Sequence, residues 1–231
     1  MKISILVPIK ERSSHYNVLY ATVHKYILDV ERDVEFIELF DEFEGESFAH
    51  KINRGMLKTE GDIVILHTDM YVLEDWWKGL FIYVEFGSGG IYGSKMVFAN
   101  NPKIIQHFGG HITYDGDAIH PERGLVDMGQ FDVAREVPFV TFGGCCIKRI
   151  VIDKVGYLDE AIYPWGYEDV DYCLRARKEG FKVVCTPATL WHSESKDAKT
   201  LESFDEIIKR NREYVMRKHN IKVEGGVPQW K

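Results

Sequence analysis

Long hydrophobic runs are absent from this 231-residue chain, and none approaches the ~20 apolar residues that a membrane-spanning helix needs. The N-terminal run Ile3-Ser4-Ile5-Leu6-Val7 is cut by Pro8, too soon for a secretory signal, so a cytoplasmic location is expected. Cysteine is scarce: Cys145, Cys146, Cys173 and Cys185 show no C-x-x-C spacing, and an adjacent pair is poorly suited to supply two ligands of a structural zinc. Reduced, buried thiols are the expectation. Excess positive charge is also missing, with 29 Lys and Arg against 36 Asp and Glu. The resulting net charge of -7 argues against a general nucleic-acid binder, while a local basic patch could still receive a phosphate-bearing small molecule. Neither G-x-G-x-x-G nor G-x-x-x-x-G-K-[ST] occurs, which removes the dinucleotide fingerprint and the P-loop. Internal repeats and low-complexity segments are lacking as well.

What is present suits one large domain or one domain with an appendage, since 45% hydrophobic content is ample for a core. Ile3 to Val7 reads as a strand buried on both faces, Val18 to Tyr26 as a helix, and Val34 to Phe40 as a second strand. Ser47 is a cap for a helix facing inward through Phe48, Ile52 and Met56, and Glu60-Gly61 ends it before the strand Ile63 to Leu66. Glu74-Asp75 opens a further helix with Trp76, Trp77, Leu80, Phe81 and Val84 on its apolar face. The first 90 residues thus read as a doubly wound α/β unit. Beyond Gly87 short β-like pieces follow, at Ile91 to Phe98, Ile104 to Ile112 and Val137 to Phe142. The polar stretch 114–130 is expected to be a functional flap. Arg149 to Val155 is a helix, and Phe181 to Cys185 a strand stopped by Thr186-Pro187. The stripe from Leu201 to His219 is compatible with packing on the core or with lying on a membrane surface.

The densest chemistry lies in Trp165-Gly166-Tyr167-Glu168-Asp169-Val170-Asp171, where three carboxylates crowd together after an aromatic-Gly turn. Like charges this close call for a cation, a metal or a proton-transfer role, or else mark a helix start where acidic groups favour the macrodipole; both readings are expected to hold. Asp69, just past the carboxyl end of a buried strand, stands where ligands bind in open α/β sheets and suits a hard divalent cation. Asp41 follows its strand in the same way and could meet a ribose or base, or be one residue of an acidic loop. Lys51-Ile52-Asn53-Arg54-Gly55 sets a cation and an amide on the early turns of a helix where anions are received, with surface solvation as the alternative. His192 is a lone histidine after a strand. Gly143-Gly144 lets backbone approach a ligand or a neighbouring strand.

Taken in order, these pieces resemble the family 2 glycosyltransferases, over about residues 1 to 195. The resemblance implies a GT-A fold, α/β and Rossmann-like, with a mixed, mainly parallel sheet flanked by helices. It divides the chain into a domain of residues 1–200, with a nucleotide-binding half (1–90) and an acceptor or catalytic half (91–200), and a C-terminal amphipathic helix and tail (201–231). Ile5-Leu6-Val7-Pro8-Ile9-Lys10-Glu11-Arg12 is similar to the family's first strand and nucleotide-contacting turn, which implicates Pro8, Ile9 and Glu11. Asp41 falls where the family often touches the base or ribose. The basic-x-Asn-x-Gly helix brings in Lys51 and Asn53. Gly61 to Asp69 resembles the strand into the Asp-x-Asp metal motif, with His67 in place of the first Asp, so Mn2+ or Mg2+ would rest on Asp69 and His192 with diphosphate oxygens. Gly143-Gly144-Cys145-Cys146, Gly156-Tyr157-Leu158-Asp159-Glu160 and Tyr167-Glu168-Asp169 resemble the acceptor-side strand, the Gly-aromatic turn and the catalytic motif. They imply Asp169 as base, Glu168 as its helper, and Gly144 with Trp165 at the acceptor.

The function so implied is inverting transfer of a sugar from a nucleotide-diphospho-sugar to a carbohydrate, lipid-linked or protein acceptor, with no nucleic acid as partner. The competing reading is a non-catalytic nucleotide- or sugar-binding module of the same fold. A sugar nucleotidyltransferase normally needs a Gly-rich phosphate loop after the first strand, and Pro8 to Arg12 has no glycine.

Overall fold

The computed structural model describes residues 2–31, 33–113, 115–193 and 204–221. The N-terminal apolar run forms β1 (Ile3–Ile9), and α1 (Ser14–Val23) follows, capped by the Ser13 hydroxyl accepting from the Tyr16 amide. A π-helical turn at His24–Leu28 leads to β2 (Val34–Phe40). Ser47 caps α2 (Phe48–Lys58) as its position predicts, accepting from the His50 amide. Then come β3 (Asp62–Ile65), β4 (Met70–Tyr71), α3 (Glu74–Phe86) and β5 (Ile91–Phe98). The second half adds β6 (Asn101–His107), β7 (His111–Ile112), β8 (Ala118–Ile119), β9 (Arg135–Glu136), β10 (Cys145–Ile147), α4 (Arg149–Val155), α5 (Glu168–Lys178), β11 (Val183–His192) and α6 (Phe204–His219).

One sheet runs β2-β1-β3-β10-β5-β11-β4, with β6 beside β5 and β9 beside β11. β1 pairs in parallel with β2 and β3, β5 pairs in parallel with β11, and β10 lies antiparallel between β3 and β5. Five strands therefore point the same way, and only β10 among the central six is reversed. The architecture is the mixed, mainly parallel sheet flanked by helices that the sequence predicts. Its consequence for function is positional: the ends of β2, β3 and β11 and the entry into β10 all reach one edge, bringing Asp41, His67 to Asp69, His192 and Gly143 there.

Strand residues alternate between two cores, as burial on both faces requires. Leu6, Ile63, Ile65, Cys145 and Ile147 face the core shared with α2, α4 and α5, while Ile5, Val7, Val64, Leu66 and Cys146 face the one shared with α1 and α3. All four cysteines are buried free thiols.

Three local expectations are corrected. The piece Ile104 to Ile112 is two strands, because Gly109 turns the chain at φ +82° and Gly110 lies against the Phe139 ring, where an added Cβ would sit 2.0 Å from Cζ. Val137 to Phe142 is not a regular strand and contributes a single bridge from Phe139 to Gly110. β11 does not stop at Pro187; it passes through on a register shift between Thr186 and Thr189, where the missing N–H costs no ladder bond, and so carries the chain on to His192.

α6 packs on the core through Ile207 and Val215, with Ile208 and Tyr214 against its rim. Leu201 to Ser203, the preceding segment 194–200 and the tail 222–231 lie outside the described residues. Among the described residues no helix is long and apolar enough to cross a membrane. The clamp holding α6 is Asp171, fully buried on α5, whose Oδ2 accepts from Arg175 Nε (2.9 Å) and whose Oδ1 meets Lys218 Nζ and His219 Nε2 (both 2.8 Å). Burial opposes ionisation, but these three partners outweigh it and hold the carboxyl at about 2. A pKa below the unfolded value of ~3.9 means the stabilisation is complete above that pH and is lost as pH falls toward 2. Asp171→Ala is expected to cost about 3 kcal/mol in denaturant unfolding at pH 7, and to lessen the acid sensitivity of the remainder.

Candidate active site

α5 begins at Glu168, and the residue before it, Tyr167, adopts φ +76°, the left-handed region a non-glycine rarely enters. Its hydroxyl accepts from the Ala118 amide (3.2 Å), which anchors this turn to β8. The turn aims the first two carboxylates of the cluster into a pocket and leaves the third, Asp171, as the clamp just described. Asp169 Oδ1 accepts from the Val170 amide (2.8 Å), whereas Glu168 Oε2 is buried with no hydrogen-bond partner among the described residues. Burial pushes both carboxyls above their ordinary range, and Glu168 rises further because the Asp169 charge faces it. Backbone amides oppose the rise at both carboxyls, so burial and the mutual repulsion of the pair are what set them apart from an ordinary carboxylate. The motif is a helix start whose first two carboxyls line a pocket.

The second cluster is His67, Asp69 and His192, whose ligand atoms all lie within 4.8 Å of one another. His192 Nε2 stands 3.1 Å from Asp69 Oδ1, and its Nδ1 faces Gln106 Oε1 at 2.8 Å. A cation between Nε2 and the carboxylate would be held by both while Nδ1 faces Gln106. His67 Nε2 is buried and without a hydrogen-bond partner among the described residues, and burial lowers this imidazole to about 4 against the pull of Asp69, keeping it neutral at pH 7. Two imidazole nitrogens and one carboxylate form a donor set that fits a divalent cation.

These clusters border two adjoining cavities. The first, about 230 Å³, is lined by Glu168, Asp169, His120, Arg123 and Gly143; the second, about 540 Å³, by Pro8, Asp41, Lys51, Asp69 and Trp165. His67 and His192 line both. The larger falls within the ~300–1,000 Å³ of small-molecule sites.

Of the residues singled out from the sequence, Pro8, Asp41, Lys51, His67 and Asp69 meet in the larger cavity, where Lys51 and Asp41 form an ion pair. Others lie elsewhere. Ile9 is fully buried in the α1 core, and Glu11 is exposed and outside the lining, while Lys10 between them lines the cavity. Asn53 is committed to structure: its Nδ2 donates to the Leu158 carbonyl (3.0 Å) and Glu160 Oε1 (2.8 Å), and its Oδ1 accepts from the Leu158 amide (2.8 Å). Gly144 is buried at φ +72°, its carbonyl accepting from Ser94 Oγ (2.5 Å), and it is the preceding Gly143 that forms the pocket wall. A Cβ on Gly143 would meet Met70 Cε at 2.1 Å and His67 Nδ1 at 3.2 Å. Trp165 lines the larger cavity beside Lys51, not the pocket with Asp169, and packs on Phe204 (5.3 Å between centroids).

Sequence reasoning passed over Glu46, His107, His120 and Arg123. Glu46 is a lining residue whose carboxylate accepts from Arg54 Nε (2.7 Å) and the Glu42 amide (2.8 Å) and meets His50 Nδ1 (2.7 Å). Burial opposes its charge, yet these partners hold it at about 2, fixing the loop between Asp41 and α2. The only available signal was histidine density: four of the chain's nine histidines line one pocket, but their spacing follows no ligand pattern.

No family model matches the chain. Among curated proteins it is 26% identical over 229 residues to the uncharacterised protein y4gI of Sinorhizobium fredii, covering 84% of this chain and 24% of that one. It is 30% identical over 141 residues to the O-antigen biosynthesis protein RfbC of Myxococcus xanthus, covering 58% of this chain and 11% of that one. The chain therefore spans a quarter or less of the length of these relatives. Among solved structures it superimposes on GalNAc-T7 with UDP, GalNAc and Mn2+ at TM-score 0.63 and 13% identity, covering 93% of this chain and 49% of that one. It superimposes on the catalytic domain of Drosophila β1,4-galactosyltransferase 7 with xylobiose at 0.61 and 18%, covering 98% and 82%. These are GT-A glycosyltransferases, and the chain has the GT-A fold.

Proposed function

We propose that this chain is an inverting glycosyltransferase that moves a sugar from a nucleotide-diphospho-sugar to an acceptor hydroxyl, with Asp169 as base and a divalent cation held by His67, Asp69 and His192. One observation carries the reading: a buried carboxyl pair and a His-Asp-His cluster open onto adjoining cavities that share His67 and His192 as their common wall. That is the juxtaposition a group transfer needs, a nucleophile's base on one side and a leaving group's counter-charge on the other. Burying Glu168 and Asp169 together costs stability, a cost that a proton-transfer role accounts for.

A bound Mn2+ or Mg2+ supplies positive charge that stabilises the departing diphosphate. Asp41 and Lys51, paired with each other, border the cavity assigned to the donor, and the Lys10 side chain lines it as well. On the other side Asp169 accepts the proton of the attacking hydroxyl as its oxygen bonds to the anomeric carbon and the carbon–diphosphate oxygen bond breaks. Attack on the face opposite the departing diphosphate inverts the anomeric centre. Glu168, protonated, holds the acceptor by donating a hydrogen bond and keeps a second negative charge out of the pocket. The neighbours bound to UDP, to Mn2+ and to a carbohydrate, and the relative named for O-antigen biosynthesis, support this class of reaction.

The test is a panel of nucleotide sugars incubated with the protein, with Mn2+ or with EDTA. Metal-dependent release of nucleoside diphosphate from at least one donor is expected, together with a rise in Tm on adding that diphosphate and Mn2+. NMR of the product should show the anomeric configuration opposite to the donor's; a retained configuration overturns the Asp169 assignment, and absence of both turnover and stabilisation overturns the reading.

A further inference from the structure

We propose that His120 reads a hydroxyl of a carbohydrate acceptor, presenting an N–H at Nε2 because His107 locks its tautomer. The inference rests on the glycosyltransferase reading and adds the acceptor class together with the residue that recognises it.

The argument begins at the backbone. The Gly109 amide (3.2 Å) and the Thr141 amide (3.4 Å) both donate to His107 Nε2, so that nitrogen carries a lone pair and the ring's proton is on Nδ1. His107 Nδ1 is 2.8 Å from His120 Nδ1, and two ring nitrogens can share one proton only if one donates and the other accepts. His107 is therefore the donor, and the His120 proton is displaced to Nε2. Burial lowers the pKa of both rings, which keeps the relay neutral and its direction fixed. The ring is clamped by His107 (centroids 4.9 Å, 76°) and Phe139 (5.8 Å, 66°), so Nε2–H is preorganised.

The chemistry of the pocket gives this donor its use. His120 shares the cavity with Glu168 and Asp169. Nδ1 being engaged, Nε2–H is the polar atom the ring can offer that cavity. An attacking hydroxyl must give its proton to Asp169, so it needs a further hold on the acceptor that donates to oxygen without removing a proton. A neutral imidazole N–H meets that need, and a hydroxyl-rich ring such as a hexose supplies the oxygen.

Two measurements test it. In 15N-labelled protein, two-bond ring correlations should show His120 protonated at Nε2 and His107 at Nδ1, and His107→Leu should release His120 into a mixture. Using the nucleotide sugar that the wild type consumes and a panel of methyl hexosides, His120→Ala and His120→Asn should each raise acceptor KM about 10-fold, the scale of one neutral hydrogen bond. His120→Gln, whose amide reaches the Nε2 position, should stay within about 3-fold of wild type, a rescue that a purely structural role would not give. An Nδ1–H tautomer at His120, or an acceptor KM unmoved by His120→Ala in a protein that transfers, overturns this inference alone. A wild type that hydrolyses the donor yet glycosylates no hexoside overturns the acceptor class. A wild type that neither binds nor turns over any donor overturns the parent reading and this inference with it.

Discussion

Asp169→Asn is expected to lower kcat about 10³-fold, close to 4 kcal/mol of transition-state stabilisation, while donor affinity changes less than about 2-fold. The substitution is nearly isosteric, and its carbonyl can still accept from the Val170 amide, so the start of α5 should persist. What disappears is the proton acceptor. It also removes the charge that raises Glu168, so Glu168 ionises more readily in the variant and can serve as a poor substitute base from its own position. A small residual activity is therefore expected, and it should not be zero. The pH profile separates the two carboxyls. With Asp169 as the proposed base, its ionised form is the active one, and since burial raises its pKa, kcat/KM should be lost as pH falls through a midpoint above the ~3.9 of an ordinary aspartate. Because burial is the cause, Glu168→Gln should leave that midpoint raised and lower the rate by a smaller factor, about 10-fold. A full rate in Asp169→Asn, measured by product formation with saturating acceptor, would remove Asp169 from the chemistry.

The fold was legible because its signals are local and physical. A strand buried on both faces is an unbroken apolar run, and Ile3–Ile9 is one; a helix start needs a cap, and Ser47 supplies it. The limits were equally physical. Pro187 punctuates a strand only if its N–H would have been used, and the bulge that spares it depends on β5, some 90 residues earlier in the chain. The candidate site divides along the same line. The carboxylate crowd could be read because charge density is a local property, but that Asp171 clamps α6 while Glu168 and Asp169 line a pocket could not, since its partners Lys218 and His219 lie far along the chain. Asn53 and Gly144 carried motif-like neighbours, but their side-chain or backbone polar groups are occupied by Leu158 and Ser94, partners that no spacing announces. His67 reads in sequence as the loss of an acidic ligand. In space one of its ring nitrogens lies within 4.8 Å of the ligand atoms of Asp69 and His192, the latter more than 120 residues away along the chain.

That substitution at His67 leads to the second large effect. His67→Ala, Asp69→Ala and His192→Ala should each weaken Mn2+-dependent nucleoside diphosphate binding about 100-fold in calorimetry, near 2.7 kcal/mol, and Gln106→Ala about 10-fold through loss of the bond that orients His192. The ordering follows from position, since three groups can touch the ion and Gln106 acts only through His192. The donor set also predicts which ion. Two imidazoles with one carboxylate form a more nitrogen-rich site than an Asp-x-Asp pair, and nitrogen donors favour first-row transition ions over Mg2+. Mn2+ and Co2+ should therefore support nucleotide binding at concentrations where Mg2+ does not. His67→Asp restores the oxygen ligand and should narrow the gap between Mn2+ and Mg2+, while lowering the stability of the metal-free protein, because a second carboxylate beside Asp69 lacks a counter-charge until an ion binds. His67→Ala serves as the control: if it leaves Mn2+ affinity intact, the ion rests on Asp69 and His192 with the diphosphate alone, and the orphaned Nε2 of His67 has another cause.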